Sequence, residues 1–192
     1  EKQANFALQA NETRLRGLFE LSPIGIALND AETGDYLDAN QALLQQTRYE
    51  HAEFIQLSYW DLTPKEYEAK EQVALHELKT TGRYNIYEKE YFRKDGSRYP
   101  IRLQGIMIKG IDGRDVIWSL IEDISEVQRV ERMKAEFVST VSHELRTPLT
   151  SISGALQLLS HGVAGVVPET MREMLEIATK NSQRLVLLVN DL

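Results

Sequence analysis

The sequence predicts an α+β domain, with a five-stranded antiparallel sheet and flanking helices, followed by an all-α helical hairpin reached through coiled-coil linkers. Three observations predict it. Residues 21–123 contain two short and three long apolar stretches with strand period, separated by turn signals. From Ile124 the apolar period becomes that of a helix. A break bearing two glycines, His161 to Val167, then divides the helical part in two. The expected organisation is an entering helix in 1–20, the α+β domain in 21–123, and a linker helix and hairpin in 124–192. The hairpin's two helices cover about 124–160 and 168–192.

Taken in order, Phe6 to Phe19 carries a weak amphipathic pattern through Leu8, Leu15, Leu18 and Phe19. Ile24 to Leu28 follows Ser22-Pro23 as a first strand, and Tyr36 to Asp38 pairs with it across the Thr33-Gly34 turn. Asn40 to Gln46 reads as a short helix. Thr63-Pro64-Lys65-Glu66 reads as a helix start, with a capping-box pair and proline at the first helical position, and Gly82 marks the stop. Strands over Asn85–Arg93, Arg98–Ile108 and Asp115–Asp123 are separated by turns at Asp95-Gly96 and Gly110 through Gly113. Tyr99, Ile101, Leu103 and Met107 alternate with Arg98, Arg102 and Gln104, which predicts a sheet with one buried face.

In the helical part, Val127, Val130, Met133, Phe137 and Val141 form a stripe, and no Gly or Pro interrupts it between Ile124 and Val141. Ser125 with Gln128 is the expected cap. The stripe continues through Leu145, Pro148, Ile152, Leu156 and Leu159 at steps of three and four, predicting one buried face. At about 100° per residue His143 points the other way, with Glu136, Thr140 and Thr147 on its face and Glu144 beside it. Pro148 removes a bond to the Glu144 carbonyl, so a kink is expected one turn beyond the histidine. Met171, Leu175, Ala178, Ser182, Leu185, Val189 and Leu192 repeat as a heptad seam on the second helix. Two such hairpins would bury their stripes together as a four-helix bundle, which makes a homodimer the expected unit.

Composition narrows the function. The chain has 192 residues, a net charge of −7 and no cysteine. No basic block or basic-aromatic stripe provides a footprint for nucleic acid. Disulfides, thiolate metal sites and cysteinyl chromophores are excluded, and no metal site is expected. No apolar run approaches the ~20 residues of a membrane helix, so membrane attachment is expected only through segments outside this sequence, which reads as a cytoplasmic fragment. His76 falls opposite the apolar side of its helix, which predicts a solvated histidine and not a haem ligand. Tyr84, Tyr87, Tyr91, Phe92, Tyr99 and Trp118 read as strand and core residues, and no bound ligand of this domain can be named.

The string His143-Glu144-Leu145-Arg146-Thr147-Pro148-Leu149 resembles the phosphoacceptor box of sensor histidine kinases of two-component systems. The order of elements in 21–123, with Ala39-Asn40-Gln41-Ala42, Trp60-Asp61-Leu62-Thr63-Pro64, Arg93-Lys94-Asp95-Gly96-Ser97 and Glu122-Asp123-Ile124-Ser125, resembles the PAS domain that commonly precedes that box. The resemblance implies that His143 is the nucleophile toward the γ-phosphoryl of ATP. It gives Glu144 the role of general base or tautomer orienter, and has Thr147 position the water that hydrolyses a phospho-aspartate. Asp123, Arg146 and Pro148 are expected to serve structure or coupling, Arg146 either touching phosphate or remaining a surface cation. ATP with Mg²⁺ would be held by a catalytic domain that the sequence lacks, so this chain is not expected to autophosphorylate alone. The implied partners are a second copy, that catalytic domain and the receiver domain of a response regulator. A signal in the sensor would be transmitted by rotation, bending or register shift of the paired helices. Two alternatives stay open: a PAS-bearing dimeric scaffold with an inert histidine, and a phosphorelay transfer protein.

Overall fold

The computed structural model describes residues 2–110, 112–163 and 165–190, the side chains from residue 9 onward. Leu192 of the expected seam, Ala164 of the expected break and the side chains of Phe6 and Leu8 lie outside the described residues. Two compact units divide the chain, residues 1–126 and 127–192.

The first unit opens with α1 (Lys2–Leu21) and continues through β1 (Gly25–Asp30), β2 (Tyr36–Ala39), α2 (Gln41–Thr47), α3 (His51–Phe54) and α4 (Tyr59–Leu62). After a 3₁₀ turn over Lys65–Tyr67 come α5 (Glu68–Thr81), β3 (Arg83–Phe92), β4 (Arg98–Lys109) and β5 (Asp115–Asp123). The strands form one antiparallel sheet in the order β2-β1-β5-β4-β3. Helices and sheet enclose a core that includes Ala27, Leu43, Phe54, Leu62, Leu78, Ile101 and Ile121.

Asn40 shows how sequence becomes local structure here. It is fully buried, and its Oδ1 accepts from Ile26 N at 2.8 Å and Leu43 N at 3.1 Å, capping α2. Its Nδ2 donates to the carbonyls of Phe19 and Ile24, both at 2.9 Å. One amide thus ties α1, β1 and α2 together with all its polar capacity satisfied.

Paired residues Ala39, Ala27, Ser119 and Gly105 form a row of small side chains across four strands, ended on β3 by Tyr84. The Tyr84 ring lies over Gly105, where a Cβ would stand 2.6 Å from it, and its hydroxyl meets Ser119 Oγ at 2.9 Å. The aromatic side chain therefore fills the space that the small residues leave. Tyr84, Tyr91 and Tyr99 are buried core residues, and His76 is exposed, as the sequence predicts.

The expected helix start at Thr63 needs correction. Thr63 Oγ1 donates back to Tyr59 O at 2.7 Å, and Pro64 is extended at ψ 142°, so neither opens the helix. The chain makes its 3₁₀ turn first, and α5 begins at Glu68. Side-chain competition for a nearby carbonyl defeats the motif. The stop at Gly82 is observed, with φ 79° and its N–H on the Leu78 carbonyl.

In the second unit, the long helix α6 (Ser125–Ser160), which begins two residues after β5, and α7 (Glu169–Asn190) form the hairpin. The two meet through Ser153 Oγ and Ser182 Oγ at 2.7 Å and through Arg146 Nε, which donates to Asn190 Oδ1 at 3.0 Å. Ser142, Ser182 and Val189 are buried, and Val138, Leu149, Leu156, Leu175, Ala178 and Val186 are half-buried. The single stripe expected on α6 is therefore split. Phe137, Leu145, Pro148, Ile152 and Leu159 remain exposed, while the side carrying Ser142, Leu149 and Leu156 is the covered one. On α7 likewise, Met171 and Leu185 of the expected seam stay exposed, together with Met174, Ile177 and Leu188. A helix with two apolar sides suits a bundle of more than two helices.

Candidate functional site

Helix α6 positions the site. Its covered side centres on Ser142 and Leu149 and its exposed apolar side on Leu145 and Ile152, and at 100° per residue His143 projects away from both. Its side chain is 75% exposed, so a second hairpin seated on the apolar side would leave the imidazole in solvent. The sequence-predicted face is observed.

Glu144 brings Oε1 to 3.8 Å from His143 Nδ1, an ion-pair distance too long for a hydrogen bond. Thr147 stands one turn on, and its Oγ1 donates to the His143 carbonyl at 3.4 Å. Arg146 turns toward α7 and bonds Asn190, so its guanidinium serves the hairpin in this structure. Pro148 sits inside α6, where it has no N–H to offer the Glu144 carbonyl, and helical structure continues past it to Ser160. His143, Glu144 and Thr147 therefore share one solvent-facing neighbourhood, flanked by Arg146 on the side toward α7 and by Pro148 on the exposed apolar side.

Asp123 closes β5 where α6 begins. Its Oδ1 accepts from Ser125 N at 2.9 Å and its Oδ2 from Arg93 Nη2 at 2.9 Å. Burial pushes the carboxyl's pKa up, but hydrogen bonds from Ser125 and then the Arg93 guanidinium outweigh it and hold the group below its ordinary value. This corrects the expected cap: the first-turn acceptor is Asp123, and Ser125 is already helical. Arg93 is the residue that sequence reasoning missed. It also donates to Gln46 O at 2.9 Å and stacks 4.0 Å from the Tyr99 ring centroid, joining α2, β4 and the root of α6. Its place in a turn motif gave no sign of that reach.

Among the described residues, no group of three or more His, Cys, Asp or Glu side chains is placed to hold a metal ion. None of the described helices is long and apolar enough to cross a membrane. Beneath α5 the sheet encloses a void of about 20 Å³, the size of one water.

A hairpin presenting an exposed histidine on its first helix, preceded by an antiparallel sheet with flanking helices, has the layout of a sensor domain followed by a phosphoacceptor domain. Comparison with known proteins bears this out. Residues 23–126 match the PAS domain and residues 133–192 match the His kinase A phosphoacceptor domain. The chain belongs to the sensor histidine kinase family, with a PAS domain followed by a phosphoacceptor domain of a type that dimerises as a helical bundle.

The hybrid signal transduction protein dokA of Dictyostelium discoideum is 31% identical over 184 residues, covering 91% of this chain and 11% of that protein. The sensor protein kinase WalK of Staphylococcus aureus is 42% identical over 74 residues, covering 38% of this chain and 18% of the relative. The chain thus spans less than a fifth of either relative. The PAS domain of an HTR-like protein from Haloarcula marismortui superimposes with a TM-score of 0.55 at 26% identity, covering 65% of this chain and all of that one.

Proposed function

We propose that this chain senses through its PAS domain and carries phosphoryl groups on His143. The reading assigns ATP and its Mg²⁺ to a separate catalytic domain. A ring nitrogen of neutral His143 attacks the γ-phosphorus, a P–N bond forms, and the bond to the ADP oxygen breaks. Glu144, whose Oε1 stands 3.8 Å from Nδ1, takes or holds the proton of the other ring nitrogen. The phosphoryl group then passes to a receiver aspartate of a response regulator in the cytoplasm. Thr147, exposed and one turn from the histidine, is assigned to orienting the water that hydrolyses the receiver's phospho-aspartate to aspartate and inorganic phosphate. Asp123 and Pro148 are assigned to coupling the sensor to the phosphoacceptor.

The observation that supports this reading is the placement of His143: an imidazole 75% exposed, opposite the apolar side, inside the matched phosphoacceptor domain. The test is incubation of the 192-residue chain with labelled ATP and the family's catalytic domain as a separate protein. Acid-labile label on the parent chain and none on His143→Gln is expected. Equal label on that variant, or none on the parent, refutes the assignment.

A further inference from the structure

Helix α5 sits on the sheet through Ala74 and Leu78, which join the core, and through a buried ion pair. Of its fourteen residues only Glu71, Ala74 and Leu78 are buried. Glu71 bonds the ammonium of Lys89 on β3; the two side chains are 8% and 0% exposed. Tyr87 donates its hydroxyl to Glu71 Oε2 at 2.7 Å, and Lys89 Nζ donates to Thr63 Oγ1 at 3.0 Å. A further polar tie runs from Asn85 N to Glu77 Oε2 at 3.4 Å.

Free space adjoins this helix on two sides. Beneath it lies the 20 Å³ void, lined in part by Glu71, Tyr84, Tyr91 and Ser119. Along its outer side, between α5 and β3, runs an open groove of about 620 Å³ in which Val73 is 69% exposed. The exposed side of α5 carries Lys70, Gln72, His76 and Lys79, which favour water over any apolar hold.

We infer that α5 is a charge-latched lid over the PAS core, fastened by the Glu71–Lys89 pair and able to lift while the sheet stays folded. Burial holds the Lys89 amine's pKa below its ordinary value, and the Glu71 charge offsets only part of that, so the ammonium depends on that carboxylate. A buried ion pair contributes little over an apolar pair of the same volume, whereas removing one partner strands the other charge in the interior. Such a pair suits a contact that must open better than one that only stabilises. The inference stands whether or not His143 carries phosphate.

Hydrogen–deuterium exchange on the 192-residue chain tests it. In the parent, amides of α5 are expected to exchange at least tenfold faster than those of β4 and β5. Lys89→Met is expected to speed α5 a further tenfold or more and leave β4 and β5 unchanged. Joint replacement of Glu71 by Leu and Lys89 by Met is expected to return α5 at least to the parent rate. Glu71→Asp, which keeps the charge on a shorter arm, serves where Lys89→Met fails to fold, with a smaller acceleration confined to α5. Equal protection of α5 and the sheet in the parent overturns the inference. So does acceleration spread over the whole PAS domain, or a double variant as open as the single one.

Discussion

The two units of this chain handle apolar surface in opposite ways. The PAS unit closes on itself: Ile101, Leu43 and Phe54 are fully buried, and Tyr84 fills the space over Gly105. The hairpin leaves Phe137 69%, Met174 72% and Ile177 56% exposed, and its buried positions include two serines. A sheet with covering helices can complete a core within one chain, but two helices have too few neighbours to cover both apolar sides of each. The matched phosphoacceptor domain is of a type that dimerises as a helical bundle, so a second copy is the cover expected for those exposed sides.

The contrast breaks most sharply at Ile152, which is 50% exposed in one chain and expected to be buried in the pair. Ile152→Glu places an unpaired charge in that seam at a cost of about 3–5 kcal/mol, and self-association should weaken by more than a hundredfold in sedimentation equilibrium. The PAS unit's near-ultraviolet circular dichroism should not change. An unchanged dimer would show that the seam lies elsewhere.

Within the PAS unit the largest effect is expected from Asn40→Ala. It removes the α2 cap and leaves the Ile26 N–H without its acceptor. Loss of about 3 kcal/mol follows from the cap and the stranded donor together, read as a lower urea midpoint for the PAS transition with self-association intact.

A smaller effect sharpens the boundary between the units. Asp123 has a folded-state pKa below its unfolded value, so its stabilisation is present above the unfolded value near 3.8 and is lost as pH falls through the folded value. Asp123→Asn should cost about 1 kcal/mol at pH 7, where the carboxylate is both a cap and the Arg93 partner. Urea titrations should show that gap narrowing below about pH 4 and closing once the parent carboxyl is protonated. A gap constant down to pH 2 would mean that the charge contributes nothing there.

Local spacing made much of this legible. The side of α6 that carries His143 follows from a 100° turn per residue, and the alternation of Tyr99, Ile101 and Leu103 follows from the two-residue repeat of a strand. Gly82 announced a helix end through backbone chemistry that acts over four residues, and Asn40 to Gln46 read as a short helix, whose cap the structure assigns to Asn40. Arg93 could not be read the same way, because Gln46, Tyr99 and Asp123 come from three separate elements. Nor could the Glu71–Lys89 pair, whose partners stand 18 positions apart. The helix start at Thr63 misled for a related reason, since its hydroxyl found the Tyr59 carbonyl before it could cap anything.

The sequence by itself determined the long helices and strands and the side of α6 on which His143 stands, because these depend on periodicity and on neighbours within one turn. The tertiary structure alone decided how the apolar stripe of α6 divides between α7 and the exposed side. It alone paired Lys89 with Glu71 and brought Arg93 to Asp123. Those outcomes depend on which surfaces meet, and contacts between distant segments leave no periodic trace in the chain that makes them.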